Sequence, residues 1–452
     1  MTSKTAENEL MAAALLGISQ EDASERLNKL VYISAPSQSS MRLAGAVRDN
    51  LARTVHISDD PTSCDIEIVL GGESRSNTSL KIYVSLSGHS LNVHHESRAD
   101  LHIEDVHPLK VEVASCYVAS VALAAILGVP EAHQGDLEVD FVKLGLRDEM
   151  LLANIHLESS VLLGAGAVGN GFLRALRHLN VSGDLSVIDP KNVRNGNLNR
   201  CLFFTEEDEG FPKAAQLAAR AQEYFSALNL VPFVGDFAAY TGNTRLVRRV
   251  FVAVDTRDGR RKIQGSAPFS VIDASTTEAK EIIVHSHIQP TSGACLACIY
   301  KFAPEESSRK KDIAASLGLT LDDIRSDLVD SNAAAKIALA RPELASRSLI
   351  GTAYETLFKG LCGMDVVRTE GGKQVLAPFA FVSNLAGAMQ AIELLRTEAI
   401  GNELERKNYF YMSPWNPPNI RARKFRGPDP ECYFCSNPAI SNIIKDLWSI
   451  ND

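Results

Sequence analysis

The run Val161-Leu-Leu-Gly-Ala-Gly-Ala-Val-Gly-Asn-Gly171 follows a strand-like stretch and opens a helical one. Within it Gly164, Gly166 and Gly169 form Gly-x-Gly-x-x-Gly. Small residues in that pattern let the backbone approach a phosphate, and the amino end of a helix favours its negative charge. Asp189 closes the next strand, where a carboxylate can accept from ribose hydroxyls. A tight structural turn is the plainer reading of the glycines alone. With the strand before them and the acid behind, they predict a nucleotide site.

Which nucleotide turns on what comes next. A dinucleotide needs its pyrophosphate met only by backbone amides. A triphosphate carries more charge, and cleaving it calls for cations and a metal ion beside the reacting phosphorus. Arg200 in Asn197-Leu-Asn-Arg200, Lys213 in Gly210-Phe-Pro-Lys213, and Asp255 after Val250-Phe-Val-Ala-Val254 supply such groups. Singly, the aspartate could cap a helix and the lysine could be solvated. All three behind one glycine pattern favour a triphosphate.

Two further motifs are Cys295-Leu-Ala-Cys298 and Cys432-Tyr-Phe-Cys435. Thiolates spaced in this way on tight turns reach one ion, and two such knuckles complete a tetrahedral Zn²⁺ site. Four thiolates leave no open coordination position, so the expected role is structural: a staple from the C-terminal tail to the main sheet. Redox or unpaired cysteines are the alternative.

These residues need a scaffold, and the chain has length for two or three domains. Its 452 residues are 45% hydrophobic and 22% charged, a balance of globular proteins. The net charge of −9, with no long block of Lys and Arg, argues against nucleic acid as the main partner. The polar, acidic stretch Met1–Leu10 is unlike a signal peptide, and the apolar run from Tyr117 to Val129 is short for a bilayer span. Few cysteines, half of them in metal-type pairs, point to a reducing cytoplasm and no membrane.

Residues 1–150 read as a small α/β unit with strand runs at Ile66–Leu70 and Leu80–Leu86 and a helix from about Val111 to Leu127. Gly71-Gly72 there reads as a turn, since no later glycine or helix follows. Residues 151–302 and 376–452 form the main domain, with strands expected at Val161–Leu163, Leu185–Ile188, Val250–Val254, Val271–Asp273 and Ile282–His285. Strands alternating with helices such as Lys213–Phe225 imply a Rossmann-like parallel sheet. Residues 303–375 are too long for a sheet connection and read as a helical insertion. In it Thr320 and Asp323 suggest a capping box opening a helix, and Ile350, Tyr354, Leu357 and Leu361 mark an apolar face.

Taken together, the glycine pattern, Ile188-Asp189, Asn197-Leu-Asn-Arg200, Gly210-x-x-Lys213, Val254-Asp255-x-x-x-x-Arg260 and the paired cysteines resemble the ThiF/MoeB superfamily of ubiquitin-activating and sulfur-carrier-activating enzymes. The resemblance covers about residues 160–300 and 376–436. It implies ATP on the glycine loop, ribose at Asp189, phosphates at Asn197, Arg200 and Lys213, and Mg²⁺ at Asp255. It further implies attack of a protein's C-terminal carboxylate on the α-phosphorus. There are departures: Lys191 stands where the superfamily usually has a second acid, Gly196 replaces a serine, and Cys201 a glutamine. The superfamily also brings an arginine from a companion half to the γ-phosphate; Arg147, just ahead of the glycine loop, is the candidate for it.

Superfamily members that pass their substrate to a conjugating enzyme use a transfer cysteine. Cys362 lies in the insertion, where such members keep theirs; it also continues the apolar stripe and precedes Gly363, a helix end that raises a thiol's pKa. Cys116 reads as core, Cys64 lies in a turn, and Cys201 adjoins Arg200, which would lower its pKa. The small-residue helix of residues 104–128 resembles the one that closes a ThiF-type domain, which, with no glycine loop in residues 1–150, implies that the N-terminal unit is a degenerate, nucleotide-free adenylation half. The layout is most like the activating enzymes of bacterial ubiquitin-like conjugation operons used in antiphage defence. The expected partners are then a ubiquitin-like protein and a conjugating enzyme, with a homodimer through the active half also allowed. An adenylating enzyme of sulfur-carrier or peptide type, with no thioester step, is the alternative. A nicotinamide-dependent dehydrogenase and a non-catalytic ATP-binding scaffold are weaker ones.

Overall fold

The computed structural model describes residues 3–98, 101–242, 246–277, 279–301, 304–324, 329–344, 349–350, 354, 357–358, 367–368, 374–375, 379–400, 407–419 and 421–448. Short runs rich in Val, Ile and Leu become strands of two sheets. In the N-terminal unit α1 (Ser3–Leu16) and α2 (Gln20–Leu27) precede β1 (Leu30–Ser34), α3 (Gln38–Leu51), β2 (His56–Ser58) and β3 (Ile66–Leu70). The unit ends with β4 (Leu80–Leu86), β5 (Ser90–His94), α4 (Pro108–Leu127) and β6 (Leu137–Asp140). The sheet order is β2-β1-β3-β4-β5-β6, parallel through β4 and antiparallel beyond it. Gly71 and Gly72 both have positive φ and end β3 in a bend, with no helix behind them.

The main domain runs through β7 (Asn154–Leu163), α5 (Ala167–Leu176), β8 (Asn180–Ile188), α6 (Lys213–Gln222), β9 (Leu228–Phe233), α7 (Phe237–Thr241) and β10 (Arg249–Val252). It continues through α8 (Arg257–Gly265), β11 (Ser270–Thr277), β12 (Glu281–Ile288) and α9 (Leu296–Ile299). After the insertion come α12 (Ala380–Ile400), β15 (Tyr409–Met412), β16 (Arg423–Lys424) and α13 (Pro438–Trp448). The eight strands are ordered β16-β15-β12-β11-β10-β7-β8-β9, with β11-β10-β7-β8-β9 parallel and the other three antiparallel. This is a Rossmann-like α/β domain beside a smaller α/β domain. Strand direction of growth reverses between β7 and β10, the switch point where ligands of such sheets bind.

Several elements are longer than their apolar runs. Helix α4 begins at Pro108, which occupies the first turn where its missing N–H costs nothing. Its twenty residues are long and apolar enough to cross a membrane by length and composition, yet most of them are buried within the protein, Lys110 and Glu112 included. One continuous core joins the two domains, with Tyr117 of α4, Phe172 of α5 and Phe381 of α12 all fully buried in it. At its centre Glu112 accepts from Arg174 Nε (3.0 Å) and Asn384 Nδ2 (2.6 Å), and Arg174 also reaches Asp49 (2.9 Å).

The insertion contains α10 (Pro304–Leu317), α11 (Ser331–Ala340) and a two-stranded ribbon of β13 (Val367–Arg368) with β14 (Gln374–Val375). Its separate core gathers Leu317, Ile337, Leu344, Tyr354 and Leu357. The Thr320–Asp323 pair makes both box hydrogen bonds, Thr320 N to Asp323 Oδ2 (2.9 Å) and Asp323 N to Thr320 Oγ1 (3.3 Å). Residues 321–324 form a turn in place of the helix expected to open there, and residues 325–328 lie outside the described residues. Ile350 is 63% exposed and is removed from the expected apolar face, on which Tyr354 and Leu357 are buried. Leu361 and Cys362 lie outside the described residues.

Candidate nucleotide site and the four-cysteine cluster

The loop after β7 is shaped by contacts only glycine tolerates. Gly164 has φ +103°, and a Cβ on it would lie 2.5 Å from the Ala253 carbonyl oxygen. A Cβ on Gly169 would lie 2.1 Å from the oxygen of Gly164 itself. Gly166 is the residue before α5, whose ten residues aim their first N–H groups at the crevice. Asp189 holds the loop from β8: its Oδ2 accepts from Ala165 N (2.9 Å) and its Oδ1 from Lys191 N (2.8 Å). Each oxygen retains a lone pair beyond those bonds.

Lys213 is the first residue of α6, and its side chain is buried. Burial pushes its pKa below the ordinary lysine value, with Asp189, Cys201 and Asp255 pulling back against that and Lys191 adding to it. Those influences place Lys213 amid the residues singled out from the sequence. Asp255 follows β10 with its side chain 67% exposed, and Lys191 Nζ sits 2.7 Å from its Oδ2. Arg200 Nη1 donates to Gly196 O and to Asn199 Oδ1, both at 2.7 Å. Asn197 Oδ1 accepts from Arg194 N (3.1 Å), so its carboxamide also shapes the loop that carries Arg200.

Some partners are absent from the motif reading. Asn170, fully buried, donates to Gly166 O (2.8 Å) and accepts from Phe203 N (3.0 Å), tying the glycine loop to the segment after Arg200. An asparagine directly behind the third glycine, inside an apolar helix, was the available signal. Lys191, noted as a departure, turns out to be the ion-pair partner of Asp255. Cys201 is buried, and burial raises its pKa; Arg200, Lys213 and Arg53 pull the other way without reversing the shift, contrary to the expectation of a lowered one. Arg147 lies ahead of β7, at the opposite end of the strand from the glycine loop, and faces Glu149 (3.9 Å). Arg260 is buried and donates to Asp273 Oδ1 (2.8 Å) and Ala274 O (3.1 Å), locking α8 to β11.

The four cysteines converge. Sγ–Sγ distances are 3.7 Å for Cys295–Cys298, 3.6 Å for Cys295–Cys432 and 3.2 Å for Cys298–Cys435, and all four sulfurs lie within 4.8 Å of one another. A tetrahedral zinc with bonds near 2.3 Å sets its sulfurs roughly 3.8 Å apart, so donor set and spacing fit that metal. Asp429 N donates to Cys298 Sγ (3.3 Å), as amides beside bound thiolates do. Beyond the cluster α13 packs back on the sheet domain, with Trp448 Nε1 donating to Ala267 O (2.7 Å).

A parallel sheet with a glycine loop, an acid and a buried lysine at its switch point is the arrangement of a nucleotide-binding domain, here joined to a second α/β unit. The chain belongs to the ThiF family, whose model matches residues 137–434, and a model of the E1 N-terminal domain matches residues 1–147. It is thus an ATP-dependent adenylating enzyme of that family. Among solved structures it is similar to Escherichia coli MccB with ATP, at 13% identity and TM-score 0.37, covering 78% of this chain and 97% of that one. The structures of MccB with AMPCPP and MccA (14%, TM-score 0.37, 78% and 97%) and of MccB alone (14%, TM-score 0.38, 79% and 95%) are similar too. Comparison with curated proteins finds no match.

Proposed function

We propose that the chain uses ATP to adenylate the C-terminal carboxylate of a peptide or small protein. The observation that carries this is the convergence of the Gly164–Gly169 loop, Asp189, Arg200, Lys213 and Asp255 at the carboxyl ends of β7, β8 and β10. The loop amides and the amino end of α5 hold phosphate oxygens, and Asp189 accepts from the ribose. Arg200 and Lys213 offset the charge that builds on the phosphates as the bond to the β-phosphate breaks. An acceptor carboxylate oxygen forms the new bond to the α-phosphorus, pyrophosphate leaves with the old bonding pair, and an acyl-adenylate results. Mg²⁺, held by the exposed Asp255, would neutralise phosphate charge when bound. Zn²⁺ on Cys295, Cys298, Cys432 and Cys435 would hold the tail and take no part in the chemistry.

Adenylation itself asks for no cysteine, which favours the sulfur-carrier or peptide type. A second reading adds a thioester: the acceptor is a ubiquitin-like protein, an enzyme thiolate displaces AMP from the acyl-adenylate, and the product passes to a conjugating enzyme. It is supported by the E1 N-terminal domain match and by an insertion with its own core. Cys362 is its proposed nucleophile.

The test is ATP–pyrophosphate exchange with a pool of synthetic peptides bearing free C-termini. Asp255→Ala should abolish the Mg²⁺-dependent exchange; normal exchange in that variant would remove the metal assignment. Absence of exchange in the wild type with every acceptor would count against adenylation.

A further inference from the structure

A chain of hydrogen bonds runs from the N-terminal domain into the loop that carries Arg200. Asn8 of α1 is buried, and its Nδ2 donates to the Arg53 carbonyl (2.6 Å). Its Oδ1 accepts from Asn199 Nδ2 (3.0 Å), and Asn199 Oδ1 accepts in turn from Arg200 Nη1 (2.7 Å). Asn199 is fully buried, so its carboxamide is oriented by these two partners. Arg53, just after α3, clamps the same segment from beside it: Nη1 donates to Leu198 O (2.8 Å) and Nη2 to Phe204 O (3.2 Å). The approach of α1 is close, since a Cβ on Gly196 would lie 3.0 Å from Glu7 Oε1.

We infer that Asn8 and Arg53 are positioning residues for phosphate recognition, through which the N-terminal domain sets the place of Arg200 within the same chain. This rests on the nucleotide reading above and extends it to what the companion domain does. A buried carboxamide with both ends committed holds one geometry, because releasing either end strands a polar group away from water. A forked guanidinium bridges two carbonyls at fixed separation, which the single ammonium of a lysine does not reproduce. Arg200 is thereby preorganised on the side of the crevice where the phosphates lie, while nothing in this network touches the ribose or base side.

That asymmetry gives the test. Full-length wild type, Asn8→Ala and Arg53→Lys are titrated by calorimetry with Mg²⁺-ATP and, separately, with adenosine. The expected result is ATP binding weakened about tenfold in each variant, as loss of one charge-assisted hydrogen bond gives, with adenosine affinity unchanged. A variant whose melting shows it unfolded is replaced by Asn8→Ser or by Arg53→Ala with guanidinium added at millimolar concentration, which should restore ATP binding in part. Wild-type ATP binding with equal affinity in the variants would overturn the inference, as would parallel loss of ATP and adenosine, which marks a general loosening of the fold. A wild type that binds no ATP would remove the nucleotide reading itself, and the inference with it.

Discussion

Lys213 is a cation kept out of water, and its surroundings work on its charge. Burial lowers its pKa, so in the nucleotide-free protein it loses its proton at a lower pH than an ordinary lysine. The sign follows: ATP affinity should fall from the alkaline side, starting below the usual lysine range, and Lys213→Arg should move that limb upward, because guanidinium stays charged. Titrating ATP affinity against pH in both proteins checks this; superimposable profiles would show that Lys213 does not meet the phosphates. The residues proposed for the chemistry stand out in the sequence, because glycines, acids and cations keep short-range spacing on a strand–loop–helix unit. The residues that position them were not. Asn8 and Asn199 are 191 positions apart and meet only once two domains have packed. Lys191 was visible as a departure, but its pairing with Asp255 depends on β8 and β10 both ending at one edge, on either side of β7.

At the scale of elements, the join between α4, α5 and α12 depends on a buried charge. Burial alone would raise the Glu112 pKa, but Arg174, His178, Asn384 and Arg177 outweigh it and bring it down to about 2 from an ordinary 4.5. A lowered carboxylate pKa contributes stability above the unfolded value and loses it as pH falls through the folded one. The window is therefore from about 4.5 down to about 2, and the contribution at neutral pH is on the order of 3 kcal/mol. Glu112→Gln should be less stable at neutral pH, leaving Arg174 without its buried anion, and its denaturant midpoint should decline less steeply on acidification than the wild type's. Equal slopes would mean that Glu112 does not carry the acid sensitivity. The other staple proposed at this scale is zinc held by the cysteine cluster. Removing zinc with a chelator should release α9 and the 429–448 tail to amide exchange while the glycine loop stays protected; unchanged exchange in the tail would contradict a structural metal. Both staples differ in legibility. Paired cysteines announce themselves by spacing, whereas Glu112 reads from sequence as one acid in an apolar helix, its partners drawn from α5 and α12.

For the whole molecule, one continuous core and the Asn8–Arg53 contacts make the two α/β units a single working body. In the smaller unit β3 ends in a two-glycine bend with no helix directly behind it. The Rossmann-like sheet was foreseeable from alternating strand and helix patterns. So was α4, whose observed start at Pro108 lies within one turn of the expected Val111. The insertion stands apart in its own core, joined to α8 where Lys310 Nζ meets Asp258 Oδ2 at 2.7 Å. The central claim is cleavage of ATP between its α- and β-phosphates for transfer of AMP to a carboxylate. It is tested most directly by incubating the protein with ATP, Mg²⁺ and the free-carboxylate peptide pool, then analysing nucleotide products and acceptor mass together. The account predicts pyrophosphate as the leaving product and an acceptor heavier by one AMP group. ADP and phosphate with unmodified acceptor, or no turnover with tight binding of a nicotinamide dinucleotide, would contradict it.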